Sequence, residues 1–176
     1  TKNVEIDEKF NGTNHTNTAT SYYNLGLVYS DKEEYDSALE WYGKSLAIRE
    51  EQYGIDHPRT ATLYHEIGFV HRKKNDTDKA LDYYFKAMAI NENIAKEDNG
   101  IKPSLATTYN NIGLVYGMKG DIDTKLKYYM KALAICEKSL GKNHPHTKLT
   151  YENIMITYEQ LGDEENANLY KEKAGL

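Results

Sequence analysis

The apolar positions of this chain fall at helical spacing, and the same arrangement returns at fixed intervals along it. Tyr22, Leu25, Val28 and Tyr29 lie three or four residues apart, one apolar stripe of a helix with 3.6 residues per turn. The block that carries them, Tyr22-Tyr23-Asn24-Leu25-Gly26-Leu27-Val28-Tyr29, returns as Tyr64-His65-Glu66-Ile67-Gly68-Phe69-Val70-His71. It returns again as Tyr109-Asn110-Asn111-Ile112-Gly113-Leu114-Val115-Tyr116, and more faintly over residues 151–158 with Met155 in place of the glycine. The steps from Gly26 to Gly68, to Gly113 and to Met155 are 42, 45 and 42 residues, the three extra residues falling around 98–103. A second block follows each of the first three, over 38–48, 80–90 and 125–135. In it Ala38, Tyr42, Ser45 or Leu46, and Arg49 continue a stripe through a helix of about 18 residues, roughly 27 Å long at 1.5 Å rise. Neither helix can bury its stripe alone, so the expected fold is an array of helix pairs that complete one another's core.

The breaks between helices are as regular as the helices. Asp56-His57-Pro58 and Asn143-His144-Pro145 set a capping side chain before a proline in the first turn, where its missing N–H costs nothing. Gly54, Gly100 and Gly141 stand where a preceding helix ends. Asn75, Gly120 and Gly162 occupy the tight turn inside each pair, where a left-handed backbone is expected, and Glu33 stands at that position in the first pair. Glycine in mid-helix costs about 1 kcal/mol relative to alanine. Its recurrence at Gly26, Gly68 and Gly113 therefore implies a close approach, with Ala38, Ala80 and Ala167 as the expected small counterparts. Two local departures carry expectations. Met155 should hold its helices further apart, and Lys125, in the packing alanine's place, should snorkel its ammonium outward.

Composition narrows the function classes. The formal charge is −5, with 22 basic and 27 acidic residues interspersed, so no basic surface is concentrated enough for nucleic acid. No apolar run reaches membrane-spanning length. Cys136 is the single cysteine and excludes an internal disulfide. A soluble cytoplasmic protein is expected. His57, His144 and His146 suggest a metal, but two of them recur with the helix starts, which favours capping, and no cysteine or carboxylate spacing supports zinc. No nucleophile–base pair, phosphate loop or catalytic carboxylate pair is apparent, so neither catalysis nor a cofactor is expected. Sixteen tyrosines against three phenylalanines follow from the repeat, since most occupy its stripe positions.

Tyr22, Leu25-Gly26, Tyr29, Ala38 and Tyr42 together resemble the tetratricopeptide repeat family. The period of 42 exceeds the family's usual 34. The lengthened second helix, the His-Pro starts, the Asn-Asn-Ile-Gly block and the Ala-Leu-Ala-Ile-x-Glu ending are similar to the kinesin light chain subtype. The resemblance implies an all-α, right-handed superhelical solenoid of antiparallel helix pairs. Its repeats would span 13–54, 55–99, 100–141 and a truncated 142–176. Residues 1–12 read as the tail of a preceding second helix, because a shift of 42 puts Ile6 on Ile48, Glu8 on Glu50 and Gly12 on Gly54. The chain is thus expected to be a piece of a longer array.

In this family the first helices line a concave groove. Carried over residue by residue, the resemblance implies that Tyr23, Leu27, His65, Phe69, Arg72, Lys73, Asn110, Leu114 and Ile156 face it, as do Asp31, Glu152 and Glu159. The stripe Leu27, Phe69, Leu114 and Ile156, one residue past each glycine position, would supply an apolar floor. Charge changes sign along the groove, from Arg72-Lys73-Lys74 to Glu152 and Glu159. The expected partner is a protein or peptide segment with an apolar anchor and mixed charge, held by a scaffold or adaptor. Two alternatives stay open: a regulatory or sensor array contacting an effector domain, and an array that associates with itself end to end. Neither nucleic acid nor membrane is an expected partner.

Overall fold

A computed structural model describes residues 5–7, 9, 12, 13, 15–97 and 103–176. Among them lie eight long helices: α1 (Thr16–Asp31), α2 (Tyr35–Tyr53), α3 (Pro58–Lys73), α4 (Thr77–Glu97), α5 (Pro103–Met118), α6 (Ile122–Leu140), α7 (Pro145–Leu161) and α8 (Glu164–Ala174). Residues 5–7 and 9 are helical as well, and Asp7 accepts a hydrogen bond from the Ser21 hydroxyl of α1. The equivalences drawn for Glu8 and Gly100 lie outside the described residues. The chain forms two compact units, Thr1–Ile90 and Asn91–Leu176.

The helix starts show why the punctuation repeats. His57 Nδ1 accepts from the Arg59 N–H at 3.1 Å and His144 Nδ1 from the His146 N–H at 3.2 Å, each ahead of a proline at the helix start. These histidines are helix caps. His15 does the same for Asn17 at 3.1 Å although no proline follows it. Six residues after Gly12, Gly54 and Gly141, a buried threonine returns to the glycine: Thr18 to the Gly12 carbonyl (2.7 Å), Thr60 to Gly54 (2.9 Å) and Thr147 to Gly141 (2.8 Å). The glycines lie at φ +84°, +85° and +83°, a region closed to most side chains, so chain reversal and helix start are built as one unit. The turn inside each pair is left-handed as expected, at Asn75 (φ 62°), Gly120 (78°) and Gly162 (73°). Glu33 adopts the same conformation at 61°.

Successive helices are tied by a repeated clamp. The Tyr64 hydroxyl donates to Glu50 Oε1 at 2.6 Å and the Tyr109 hydroxyl to Glu92 Oε1 at 2.6 Å, with Tyr151 and Glu137 paired likewise. This is the physical content of the Ala-Ile-x-Glu ending: the glutamate at the close of one second helix receives the tyrosine that opens the next stripe. Burial and the facing carboxylate push all three phenols up, so they stay protonated donors.

Two expectations are corrected. The mid-helix glycines face a tyrosine ring, not an alanine. An ideal Cβ at Gly26 would lie 2.3 Å from Tyr42 Cδ1, one at Gly68 2.9 Å from Tyr84, and one at Gly113 2.7 Å from Tyr129. The alanines are buried beside them without being the reason for glycine. In the fourth pair the ring is gone together with the glycine. Lys171 stands where Tyr129 stands one repeat earlier, and Met155 packs into the cluster of Leu133, Tyr151, Ile154 and Tyr170. Lys125 does not snorkel. It is 8% exposed and its ammonium donates to Gln160 Oε1 at 2.8 Å, with Tyr129 beneath at 5.8 Å. Its stem occupies space left by Gly117, where a Cβ would stand 3.0 Å from Lys125 Cδ. Burial pulls its pKa down from the ordinary lysine value.

Candidate functional site

In the first unit, α1 and α3 carry the expected groove residues. Tyr23, Leu27 and Phe69 are half-buried against a core of Ala38, Tyr42, Leu63, Ile67 and Val70, so each offers only its outer edge. The Tyr23 ring lies 6.0 Å from that of Tyr42 and receives the Arg49 guanidinium at 4.9 Å, while Arg49 donates to the Arg59 carbonyl at 2.9 Å. His65 packs on the Tyr84 ring at 5.4 Å. Burial, and then the charge of Arg72, pull its pKa down to about 4, so the imidazole is neutral at pH 7. Arg72 lies 5.1 Å over Phe69, within cation–π reach, and Lys73 stands exposed at 5.8 Å from the same ring. Tyr84, pushed up to about 12 by burial, has Arg72 as its nearest favourable charge. Even so, the Tyr84 hydroxyl and Arg72 Nε are buried without a well-formed hydrogen bond. The third cation of the run, Lys74, pairs with Asp36 of α2.

In the second unit, Asn110 and Leu114 lie on α5 and Ile156 on α7. Leu114 is 36% exposed and Ile156 44%, against the half-buried Leu27 and Phe69, so the expected apolar stripe is open here and recessed in the first unit. Asn110 Nδ2 donates to Thr150 Oγ1 at 3.3 Å, whereas its Oδ1 is buried and has no partner. Beside it is a cavity of about 210 Å³ lined by Thr107, Cys136, Leu140, His144 and His146 among others. Cys136 is buried 4.0 Å from Thr150, and burial pushes its thiol up, which keeps it protonated and inert. Glu152 is half-buried and Glu159 exposed.

The sequence did not single out three participants. Glu66 lies near Asp31, and burial followed by the Asp31 charge pushes its carboxyl up. The Tyr42 hydroxyl is buried near Ser30 of α1 without a well-formed hydrogen bond. Thr150 organises Asn110. Glu66 was visible as the one acidic residue at a position that is asparagine in the other three repeats (Asn24, Asn111 and Asn153). The other two carry no signal before the helices are packed. Among the described residues, no three His, Cys, Asp or Glu side chains stand together so as to hold a metal ion, and no helix is long and apolar enough to cross a membrane.

Comparison with known proteins agrees with this architecture. The tetratricopeptide repeat profile matches residues 1–51, 28–93 and 104–174. No curated protein matches. Among solved structures, BtubC (BKLC) from P. vanneervenii superposes with a TM-score of 0.80 at 24% identity, over 90% of this chain and 62% of that one. The chain thus spans less than two thirds of that relative. A putative kinesin light chain of Podosopora anserina with nearly identical TPR-like repeats gives 0.77 at 19% identity, over 97% of this chain and 80% of that one. Aspartyl phosphate phosphatase F from Bacillus subtilis gives 0.79 at 18% identity, over 90% of this chain and 39% of that one. These likenesses establish a shared fold. With the profile covering most of its length and the helix pairs built as described, the chain belongs to the tetratricopeptide repeat family.

Proposed function

We propose that this chain is a protein–protein interaction module that holds a partner's peptide segment against its first helices, rather than an enzyme. The observation that carries this reading is the state of the groove residues. Leu114 and Ile156 keep large apolar faces open to water. Asn110 Oδ1, on the same helix as Leu114, is buried without a hydrogen-bond partner among the described residues, and in the first unit Arg72 Nε and the Tyr84 hydroxyl are buried near one another without a well-formed bond. A buried polar atom left unpaired costs about 1–3 kcal/mol, and in the second unit the open Leu114, one turn along the helix from Asn110, is surface that an incoming segment can cover while it pairs Asn110 Oδ1. Phe69 and Leu114 would supply apolar contacts, and Arg72 and Asn110 would hold backbone or acidic groups of the segment. Tyr23, Leu27, His65, Lys73 and Ile156 would flank them.

The test is a pull-down from cell lysate with the wild-type chain beside a Phe69→Glu/Arg72→Glu variant and a Leu114→Glu variant, all checked by circular dichroism to be fully helical. Partners lost from the folded variants support the groove. An identical partner list for all three overturns it in favour of another surface, and a complex with the segment seated on the second helices does the same.

A further inference from the structure

The cavity beside Asn110 occupies a register position that the first unit fills with one of its own side chains. Its walls include Ala106 and Thr107 of α5, Cys136 and Leu140 of α6, and His146 of α7. A step of 87 residues back along the sequence brings Asn110 onto Tyr23, Cys136 onto Arg49, Leu140 onto Tyr53 and His146 onto Arg59. The threonine bonds to Gly54 and Gly141 fall in the same step, so the two neighbourhoods are built on one backbone plan. In the first unit Arg49 takes the position. Its guanidinium lies 4.9 Å over the Tyr23 ring and donates to the Arg59 carbonyl at 2.9 Å. Burial pulls its pKa down, yet a guanidinium remains charged, so the fold holds a largely buried cation there.

The intervening repeat carries Asn91 at this position, and in the second unit the position ends at the Cys136 thiol, buried 4.0 Å from Thr150. The cavity of about 210 Å³ lies between Cys136 and the residues that match the two neighbours of Arg49. The carbonyl matching that of Arg59 belongs to His146, and it receives the Thr150 hydroxyl at 2.9 Å in place of a guanidinium. Asn110, standing where the Tyr23 ring stands, donates to Thr150 at 3.3 Å and leaves its Oδ1 buried without a partner among the described residues. Buried polar atoms nearly all have partners, so an unpaired acceptor on the wall of a pocket asks for a donor from outside. The pocket can admit one: Thr107 and His146 are exposed, whereas Ala106 and Cys136 are buried.

We propose that this cavity receives an arginine side chain of the bound segment, seated in the second unit as Arg49 is seated in the first. This rests on the reading that the first helices hold such a segment. Thr107, Asn110 and Leu114 follow one another at three and four residues along α5 and so share one face, which puts the cavity beside the open apolar surface. The arginine stem would lie along Ala106 and Leu140, and the guanidinium would donate to Asn110 Oδ1. A guanidinium is planar and weakly hydrated, and Arg49 shows that one carbonyl and one ring face suffice to hold it in this fold. An ammonium is compact and strongly hydrated, and its three donors would find too few acceptors here.

The experiment selects binders from a displayed library of random peptides on the wild-type chain. Selected peptides are synthesised with a fluorophore and titrated against wild type, Cys136→Arg, Asn110→Ala and Leu114→Ala. Cys136→Arg fills the cavity with the first unit's own residue, so it should stay fully helical by circular dichroism, and its unfolding would overturn the premise that a guanidinium fits. The expected result is an arginine at a constant distance from an apolar residue in the selected peptides. Cys136→Arg and Asn110→Ala should bind them about tenfold more weakly, as should wild type offered the same peptide with lysine or methionine in place of that arginine. Peptides weakened by Leu114→Ala but held within about twofold by Cys136→Arg and Asn110→Ala would overturn the arginine site and leave the groove standing. Loss on Cys136→Arg without loss on either exchange in the peptide would overturn the guanidinium and give the cavity to another side chain. Peptides indifferent to all three variants, or no enriched peptide at all, would overturn the groove and the arginine site with it.

Discussion

At the scale of single residues, conformation and contact distance order the costs. Glu33 holds φ 61°, a left-handed backbone that its counterparts Gly120 and Gly162 adopt freely and Asn75 adopts at little cost. Its side chain is exposed, so nothing in packing is lost by changing it. Glu33→Asn should stabilise the chain by about 1 kcal/mol, read as a higher urea midpoint at unchanged slope. The mid-helix glycines predict the opposite sign. Alanine is the better helix former, yet its Cβ at Gly26 would meet the Tyr42 ring at 2.3 Å, and at Gly68 would meet Tyr84 at 2.9 Å. Gly26→Ala should therefore destabilise by about 2–3 kcal/mol and Gly68→Ala by about 1, since overpacking costs scale with the displacement demanded. Equal effects, or a gain at either site, would show that the rings move aside freely.

At the scale of helix pairs, substitutions come in compensating couples, and this is where the sequence was only partly legible. Period, caps, turn positions and helix limits followed from spacing because each is a local demand on backbone or hydrogen bonding. The partner of each glycine did not follow, because an alanine stripe and an aromatic four residues later both fit one helix face, and only packing shows which one enters the notch. Lys125 illustrates the same gap. Read alone, a lysine at the alanine position must reach for solvent; in the structure Gly117 leaves room for its stem and Gln160 receives its ammonium. The equivalent couple in the first pair is Ser30 with Ala38. Gly117→Ser alone should destabilise by about 1–2 kcal/mol by crowding the Lys125 stem, whereas adding Lys125→Ala should recover most of that loss. The coupling should be about 1 kcal/mol in a double-mutant cycle, and strict additivity would mean that the two sites do not share the space.

At the scale of the whole chain, groove positions were legible as a register but not as a state. Spacing placed Leu27, Phe69, Leu114 and Ile156 in one register, yet the first two are half-buried against the core around Tyr42 and Ile67 and the last two are open. The units differ in titration too. The first holds His65, drawn down to about 4 by burial and Arg72, and His71, drawn down by burial beside Asp76. A histidine whose folded pKa is depressed binds protons in the unfolded chain first, so its neutral folded form is secure above the unfolded value near 6.5. Stability then falls as pH drops from there toward about 4. Glu66 acts in the opposite sense, since burial, and then the Asp31 charge, raise its carboxyl, which is easier to bury once protonated. For His65 the loss by pH 4.5 is about 2.5 kcal/mol on a 1.36 kcal/mol per unit scale, and repeat arrays open region by region. Hydrogen exchange at pH 7 and pH 4.5, compared at equal intrinsic rates, should therefore show α3 losing protection before α7. His65→Asn, which installs the residue found at Asn110, should remove most of that difference. Equal loss of protection in the two helices, or a difference that survives His65→Asn, would place the acid sensitivity elsewhere.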